Sequence, residues 1–173
     1  MSTAALIVAA GRGKRLAGER PKAYVDLGGV PLVRHSLDAL AARPAIGPIG
    51  VVIHPDDTPY YQDAVRGLNV LPPVAGGASR QDSVRAGLES LAAVAPDQVL
   101  IHDAARPFPD GPLIDRVLSA LDDAPGAIPG LPVWDSLKRA PSGWIEATLD
   151  RDDMWRAQTP QGFAFSILFL LAA

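Results

Sequence analysis

Short apolar runs alternate along this chain with stretches whose apolar residues recur every three or four positions. Ala4–Ala10 is nearly all apolar, the pattern of a strand buried on both faces, and Gly11 and Gly13 break it. Pro31 opens a helical pattern with Leu32, Val33, Leu37 and Leu40 on one face; proline suits a helix's first turn. Ile49–Ile53 reads as a second strand, ended by His54-Pro55-Asp56-Asp57, with a weak helix expected over Tyr60–Arg66 and a third strand around Val70–Leu71. The loop "VAGGASRQDSV" leads into a helix carrying Val84, Leu88, Leu91 and Ala92. Val99–Ile101 is a further buried strand, terminating in "HDAARPF". Pro112–Leu121 repeats the helical pattern through Leu113, Val117 and Leu121, and Ala127–Val133 follows as the next strand.

This rhythm implies βαβ units, hence an α/β, Rossmann-like fold whose mainly parallel sheet has helices on both faces. In such sheets ligands bind beyond the carboxyl ends of the strands. Three loops follow apolar strands, Gly11–Lys22, Gly76–Asp82 and His102–Pro107, and all three are expected at one edge. Residues 134–152 differ. Pro141 and Gly143 stand where a tight turn needs them, and Ile145, Ala147 and Leu149 alternate with Trp144, Glu146 and Thr148. That predicts a protruding β-hairpin arm. A lone hairpin is marginal in water, so its two tryptophans need a surface to cover, and a partner subunit would supply one.

Length and composition narrow the reading. A chain of 173 residues suits one domain, 1–173, with a substantial core. The net charge of −3 argues against a general nucleic-acid binder, so any anion binding is local. Absence of cysteine excludes disulfides and thiolate metal sites. Met1–Ala10 has no basic segment before its short apolar run, which leads to the expectation of a soluble, cytoplasmic protein without a membrane anchor.

Against that acidic background, Arg12, Lys14, Arg15, Arg20 and Lys22 crowd the turn after the first strand. Backbone N–H groups of a glycine-rich turn, with cations alongside, make a phosphate cradle. It is not a Walker A loop, because Gly13-Lys14 is followed by Arg15 and the earlier glycine position holds Val8. It is not a dinucleotide fingerprint either, since Leu16 replaces the third glycine. A nicotinamide-dependent dehydrogenase is therefore disfavoured. Asp103, at the end of a buried strand, reads on its own more often as a turn former or cap, and otherwise as the candidate Mg²⁺ ligand, since Mg²⁺ takes one or two carboxylates plus water and substrate phosphates. His102 is read as structural.

What remains, A-A-G-x-G-x-R-L followed by P-K, resembles the signature of sugar-nucleotide pyrophosphorylases and related nucleotidyltransferases. The segments "PKAYVDLGGVPLVRHSLDAL", "GGASRQDSVRAGL", "IHDAARPF", "PVWDSLKRA" and "LDRDDMWRAQTPQGF" are similar, in content and order, to those of the 2-C-methyl-D-erythritol 4-phosphate cytidylyltransferase family. The resemblance implies transfer of CMP from CTP to methylerythritol phosphate with release of pyrophosphate. It assigns Arg15 and Lys22 as the cations that stabilise the transition state, and Ala9, Ala10, Gly11 and Gly13 as nucleotide-holding backbone. Gly77 and Ser83 match positions contacting cytosine or ribose, and Asp103 matches the metal and nucleotide position. Ser136, Arg151 and Thr159 match the alcohol-phosphate site, where the family commonly has Thr at Ser136; Arg106 is expected to bind substrate phosphate, to pair with Asp103, or both. Arg151 is expected to reach the site of a second subunit in a homodimer. The family pattern runs several dozen residues beyond T-P-Q-x-F, including a lysine and an aspartate at the site, so the chain is expected to be incomplete after "FAFSILFLLAA", itself read as the start of a helix. Two alternatives stay open: a ribitol 5-phosphate cytidylyltransferase, and a non-catalytic remnant that binds CTP or dimerises.

Overall fold

Burial along almost all of Thr3–Val8 (β1) makes it the middle of the sheet. Its alternate residues feed two cores: Ala5, Ile7 and Ala9 point to one, Ala4 and Leu6 to the other. A strand covered on both faces needs no polar alternation, which is why its sequence reads as an unbroken apolar run. The computed structural model describes residues 1–11 and 20–172. After β1 come a two-rung ladder, Asp26–Leu27 (β2) with Val30–Pro31 (β3), and helix Leu32–Ala41 (α1). Strand Ile46–Ile53 (β4), helix Thr58–Ala64 (α2), strand Val74–Ala75 (β5), helix Arg80–Leu91 (α3), strand Gln98–Asp103 (β6) and helix Gly111–Ala120 (α4) follow. Then come Gly126–Ala127 (β7), Gly130–Pro132 (β8), Leu137–Arg139 (β9), Ala147–Leu149 (β10), Trp155–Ala157 (β11), Gln161–Ala164 (β12) and helix Phe165–Ala172 (α5).

The main sheet has the order β5-β4-β1-β6-β12-β7. β5, β4, β1 and β6 are parallel, and β12 runs antiparallel to both β6 and β7. Residues of α1, α2 and α4 pack one face, and those of α3 and α5 pack the other. The expected α/β fold with helices on both faces is the observed one. Among the described residues no helix is long and apolar enough to cross a membrane.

Two expectations are corrected, and one strand was not foreseen. Val70–Leu71 is not a strand. Leu71 donates one hydrogen bond to Ile49 O at 2.9 Å, but Pro72 and Pro73 have no N–H to continue the ladder. Pairing resumes at β5, three residues after Leu71. The run Ala127–Val133 is not one strand: β7 stays in the main sheet, while β8 leaves it to pair with β11 at the root of the arm. β12 was not foreseen, because Gln161 and Gly162 are poor strand formers. Tertiary pairing between β6 and β7 overrides that propensity.

The arm is a hairpin as expected, with β9 and β10 antiparallel from Leu137↔Leu149 to Arg139↔Ala147. Gly143 takes φ +84° in its turn, and Lys138 Nζ donates to Thr148 Oγ1 at 2.7 Å across the strands. Trp134, Trp144 and Trp155 are 73%, 81% and 63% exposed. Ile167, Leu170 and Leu171 of α5 are exposed as well.

Gly87 in α3 sits where the helix crosses the sheet. A Cβ there would lie 2.5 and 2.6 Å from the Leu6 δ-carbons and 2.8 Å from Val52 Cγ2. Helix propensity alone favours alanine by about 1 kcal/mol, whereas overpacking a tight core costs about 1–3 kcal/mol. Packing should win. Gly87→Ala is expected to lower stability by roughly 1–2 kcal/mol, read as a lower urea midpoint at unchanged slope by circular dichroism; a raised midpoint would contradict this packing.

Candidate active site

Parallel pairing puts the carboxyl ends of β1, β4, β5 and β6 on one edge, with Val8 in register with both Val52 and Asp103. Over that edge lies a cavity of about 640 Å³. Ala9, Ala10, Gly11 and Lys22 line it from the first loop, Gly77 and Ser83 from the second, and Asp103 from the third. The predicted convergence of three loops therefore holds for these residues. Gly13 and Arg15 lie outside the described residues.

Each loop is fixed by backbone and buried hydroxyl bonds. Ala9 N–H donates to Val52 O at 2.7 Å, setting the chain's path as it leaves β1. The second loop passes so close to its neighbours that side chains are excluded. A Cβ on Gly76 would sit 2.3 Å from Ala10 Cβ, and one on Gly77 would sit 2.3 Å from Asp82 Cβ. Buried Ser83 accepts from Gly77 N–H at 3.1 Å and donates to Ser79 O at 2.9 Å, so its hydroxyl also holds the loop's shape. Ser79 caps α3: its Oγ accepts from Asp82 N–H at 3.0 Å, and Asp82 Oδ2 accepts from Ser79 N–H at 2.9 Å. This capping box aims the positive end of the α3 dipole at the cavity.

Lys22 opens a 3₁₀ turn, Lys22–Tyr24, anchored by Tyr24. Tyr24 is buried, its ring stacks on Tyr60 at 5.8 Å, and Arg20 covers the Tyr60 ring at 5.9 Å. Burial, followed by the nearby Asp57 carboxylate, pushes the Tyr24 phenol well above its ordinary pKa, so it stays neutral.

The third loop carries the site's charge balance. Asp103 Oδ1 accepts from Arg80 Nε at 3.1 Å and Nη2 at 3.0 Å, while Arg106 Nε stands 3.4 Å from Oδ2. Arg106 also donates to Gln158 Oε1 at 2.5 Å. His102 is completely buried beneath this loop. Its Nε2–H donates to Arg106 O at 2.9 Å, which leaves Nδ1 to accept the Thr159 hydroxyl at 3.1 Å. Thr159 Oγ1 in turn accepts from Asp103 N–H at 3.4 Å. Burial lowers the His102 pKa, partly offset by its bond to the Arg106 carbonyl.

Sequence reasoning missed two contributors. Ser36, buried on the apolar face of α1, donates toward Ala104 O and Arg106 O, each at 3.3 Å. A hydroxyl within an apolar helix face was its only signal. Arg80 lies one residue after the Ser79 cap, which alone marked it as facing the loop cluster.

The remaining predicted residues occupy other places. Arg106 and Thr159 line a neighbouring cavity of about 460 Å³, with Phe108, Arg116 and Gln158. Ser136 and Arg151 share a hollow of about 350 Å³ on the arm, where the Arg151 guanidinium bonds the Trp134 carbonyl. Neither lines the cavity that holds Lys22 and Asp103. Among the described residues no three His, Cys, Asp or Glu side chains cluster as a metal cage, so Asp103 stands as a lone carboxylate.

A model of the 2-C-methyl-D-erythritol 4-phosphate cytidylyltransferase family matches residues 3–172. The chain belongs to this family. A bifunctional enzyme IspD/IspF of Rhodospirillum rubrum is 58% identical over 166 residues, covering 95% of this chain and 43% of the relative. The corresponding enzyme of Paramagnetospirillum magneticum is 56% identical over 164 residues, again 95% of this chain and 43% of that one. The chain thus spans less than half the length of these curated relatives. Among solved structures, the Thermus thermophilus 2-C-methyl-D-erythritol 4-phosphate cytidylyltransferase superposes with a TM-score of 0.77 at 34% identity, over 97% of this chain and 73% of that one. The 4-diphosphocytidyl-2C-methyl-D-erythritol synthase of Anaerococcus prevotii gives 0.83 at 27%, over 99% and 73%. A cytidylyltransferase-family fold thus underlies the cavity.

The buried His102 makes stability pH-dependent. Its folded pKa lies below the ordinary 6.5, so in acid the unfolded chain takes up a proton that the folded chain refuses. Its contribution is complete above the unfolded value of about 6.5 and is lost progressively as pH falls below it and through the lower folded value. Urea midpoints measured from pH 7.5 to 5.5 should decline for the wild type, and His102→Gln should remove most of that slope.

Proposed function

We propose that the chain is the cytidylyl-transferring unit of its protein, moving CMP from CTP to 2-C-methyl-D-erythritol 4-phosphate and releasing pyrophosphate. The observation that carries this reading is the cavity where Lys22, tightly turned glycine backbone, a helix N-terminus and a lone carboxylate meet. That set suits a nucleoside triphosphate: N–H groups and cations for phosphate, one carboxylate for a cation shared with it. The adjacent cavity, reached across Asp103, His102 and Thr159, suits the second substrate, with Arg106 turned to its phosphate.

In the reaction a phosphate oxygen of the alcohol attacks the α-phosphorus in line, the new P–O bond forms, and the bond to pyrophosphate breaks. Two anions must approach, so positioning and charge stabilisation dominate. Ala9, Ala10, Gly11 and Gly77 hold the nucleotide, with Gly13 added by family resemblance, and Ser83 keeps the Gly77 turn in place. Lys22 meets the developing charge as a compact ammonium, joined by Arg15 on the same resemblance. Asp103 fits Mg²⁺ as one carboxylate beside room for phosphates and water, and the ion would neutralise charge on the triphosphate.

The active form is a homodimer. Ser136 and Arg151 face a hollow on the arm, and three exposed tryptophans leave that region needing cover. An arm laid over a second subunit would bring Ser136 and Arg151 to that subunit's alcohol-phosphate cavity. The enzyme works in the cytoplasm, on soluble substrates.

Pyrophosphate release from CTP plus methylerythritol phosphate is the direct test, with ribitol 5-phosphate as the competing acceptor. Lys22→Ala should lower kcat by about 10²–10³-fold with the fold intact; unchanged release would remove the proposed site. Trp134→Glu with Trp144→Glu should shift sedimentation from dimer to monomer and reduce transfer, whereas a wild-type monomer with full activity would exclude the dimer.

A further inference from the structure

Asp103 is the single acidic side chain among the described residues lining the nucleotide cavity, and both its oxygens already face arginines. The two arginines are not equivalent. Arg106 is tied at its far end to Gln158 Oε1 at 2.5 Å, and its main chain is held through His102 and Ser36. Arg80 is anchored at its root by the capping box of α3, and its guanidinium is half exposed. Among the described residues, the guanidinium's hydrogen bonds both go to one atom, Asp103 Oδ1, at 3.0 and 3.1 Å. Among the described residues, one arginine is thus held by two side chains and the other by Asp103 alone.

We infer that Arg80 is an internal counter-cation that competes with a divalent metal for Asp103 and hands the carboxylate over when a polyphosphate arrives. Without nucleotide, a divalent ion at Asp103 would have to displace Arg80 into water and would face the positive charge of Arg106. It would receive one carboxylate in return, a weak site for an ion that sheds water reluctantly. A polyphosphate reverses the balance. It brings further oxygens to the metal and offers Arg80 a planar, two-point anion in place of the carboxylate. Metal and polyphosphate then enter together, and the apo site stays closed to free cations. A plain surface ion pair, of little consequence for stability or binding, is the contrary reading.

The choice of CTP rests on the function proposed above, but the metal competition does not, so the two fail separately. The probes are Mn²⁺ alone, followed by electron paramagnetic resonance of the free ion, and inorganic tripolyphosphate without metal, followed by calorimetry. Arg80→Met keeps the apolar stem and removes the charge; circular dichroism checks its fold. Mn²⁺ should bind this variant at least tenfold more tightly than wild type, and Asp103→Asn in the same background should abolish the gain. Tripolyphosphate should bind Arg80→Met at least tenfold more weakly. Equal Mn²⁺ affinity in wild type and variant would overturn the inference, as would a gain that survives Asp103→Asn. If Mn²⁺ tightens as expected but no alcohol phosphate is turned over, the counter-cation stands and the catalytic reading falls.

Discussion

Parallel pairing of β1 with β4 on one side and β6 on the other is the constraint from which the site follows. Because these strands run the same way, their carboxyl ends, and with them three chemically distinct loops, emerge together. Register does the rest: Val8 lies beside Asp103, so glycine-rich backbone and carboxylate open onto one cavity without any long-range adjustment. Burial on both faces then locks that register, since a one-residue slip would exchange the two cores' contributions from β1.

Much of this was legible before any coordinates. Ala4–Ala10 announces a doubly covered strand; the structure ends the strand at Val8 and places Ala9, Ala10 and Gly11 in the lining of the cavity. Leu37 and Leu40 of α1 and Leu88 of α3 face the cores as their spacing requires. What escaped had physical causes. Val70–Leu71 has strand-forming side chains but is followed by two prolines without donors. β12 exists because β6 and β7 flank it, information that no local window contains. Ser36 and Arg80 act across sequence separations of 68 and 23 residues, and nothing in their neighbours' pattern reports those partners.

Beneath the loop that bears Asp103, neutral polar groups do the positioning. His102, Thr159 and Ser36 each present the hydrogen-bonding role that its partner requires, and none contributes a formal charge that the interior would have to accommodate. Charge is kept one layer further out, where Arg106 is tied to Gln158 and Arg80 and Lys22 line the cavity. A neutral, hydrogen-bonded floor thus carries a charged rim, and among the described residues the interior holds no unpaired charge at this loop.

The placement of the tryptophans has a practical corollary. All three stand in the 134–155 stretch at the arm and its root, and none is in either core. Intrinsic indole emission from this chain thus reports chiefly on the projection and on whatever settles against it rather than on either core, a local optical reporter already present in the sequence.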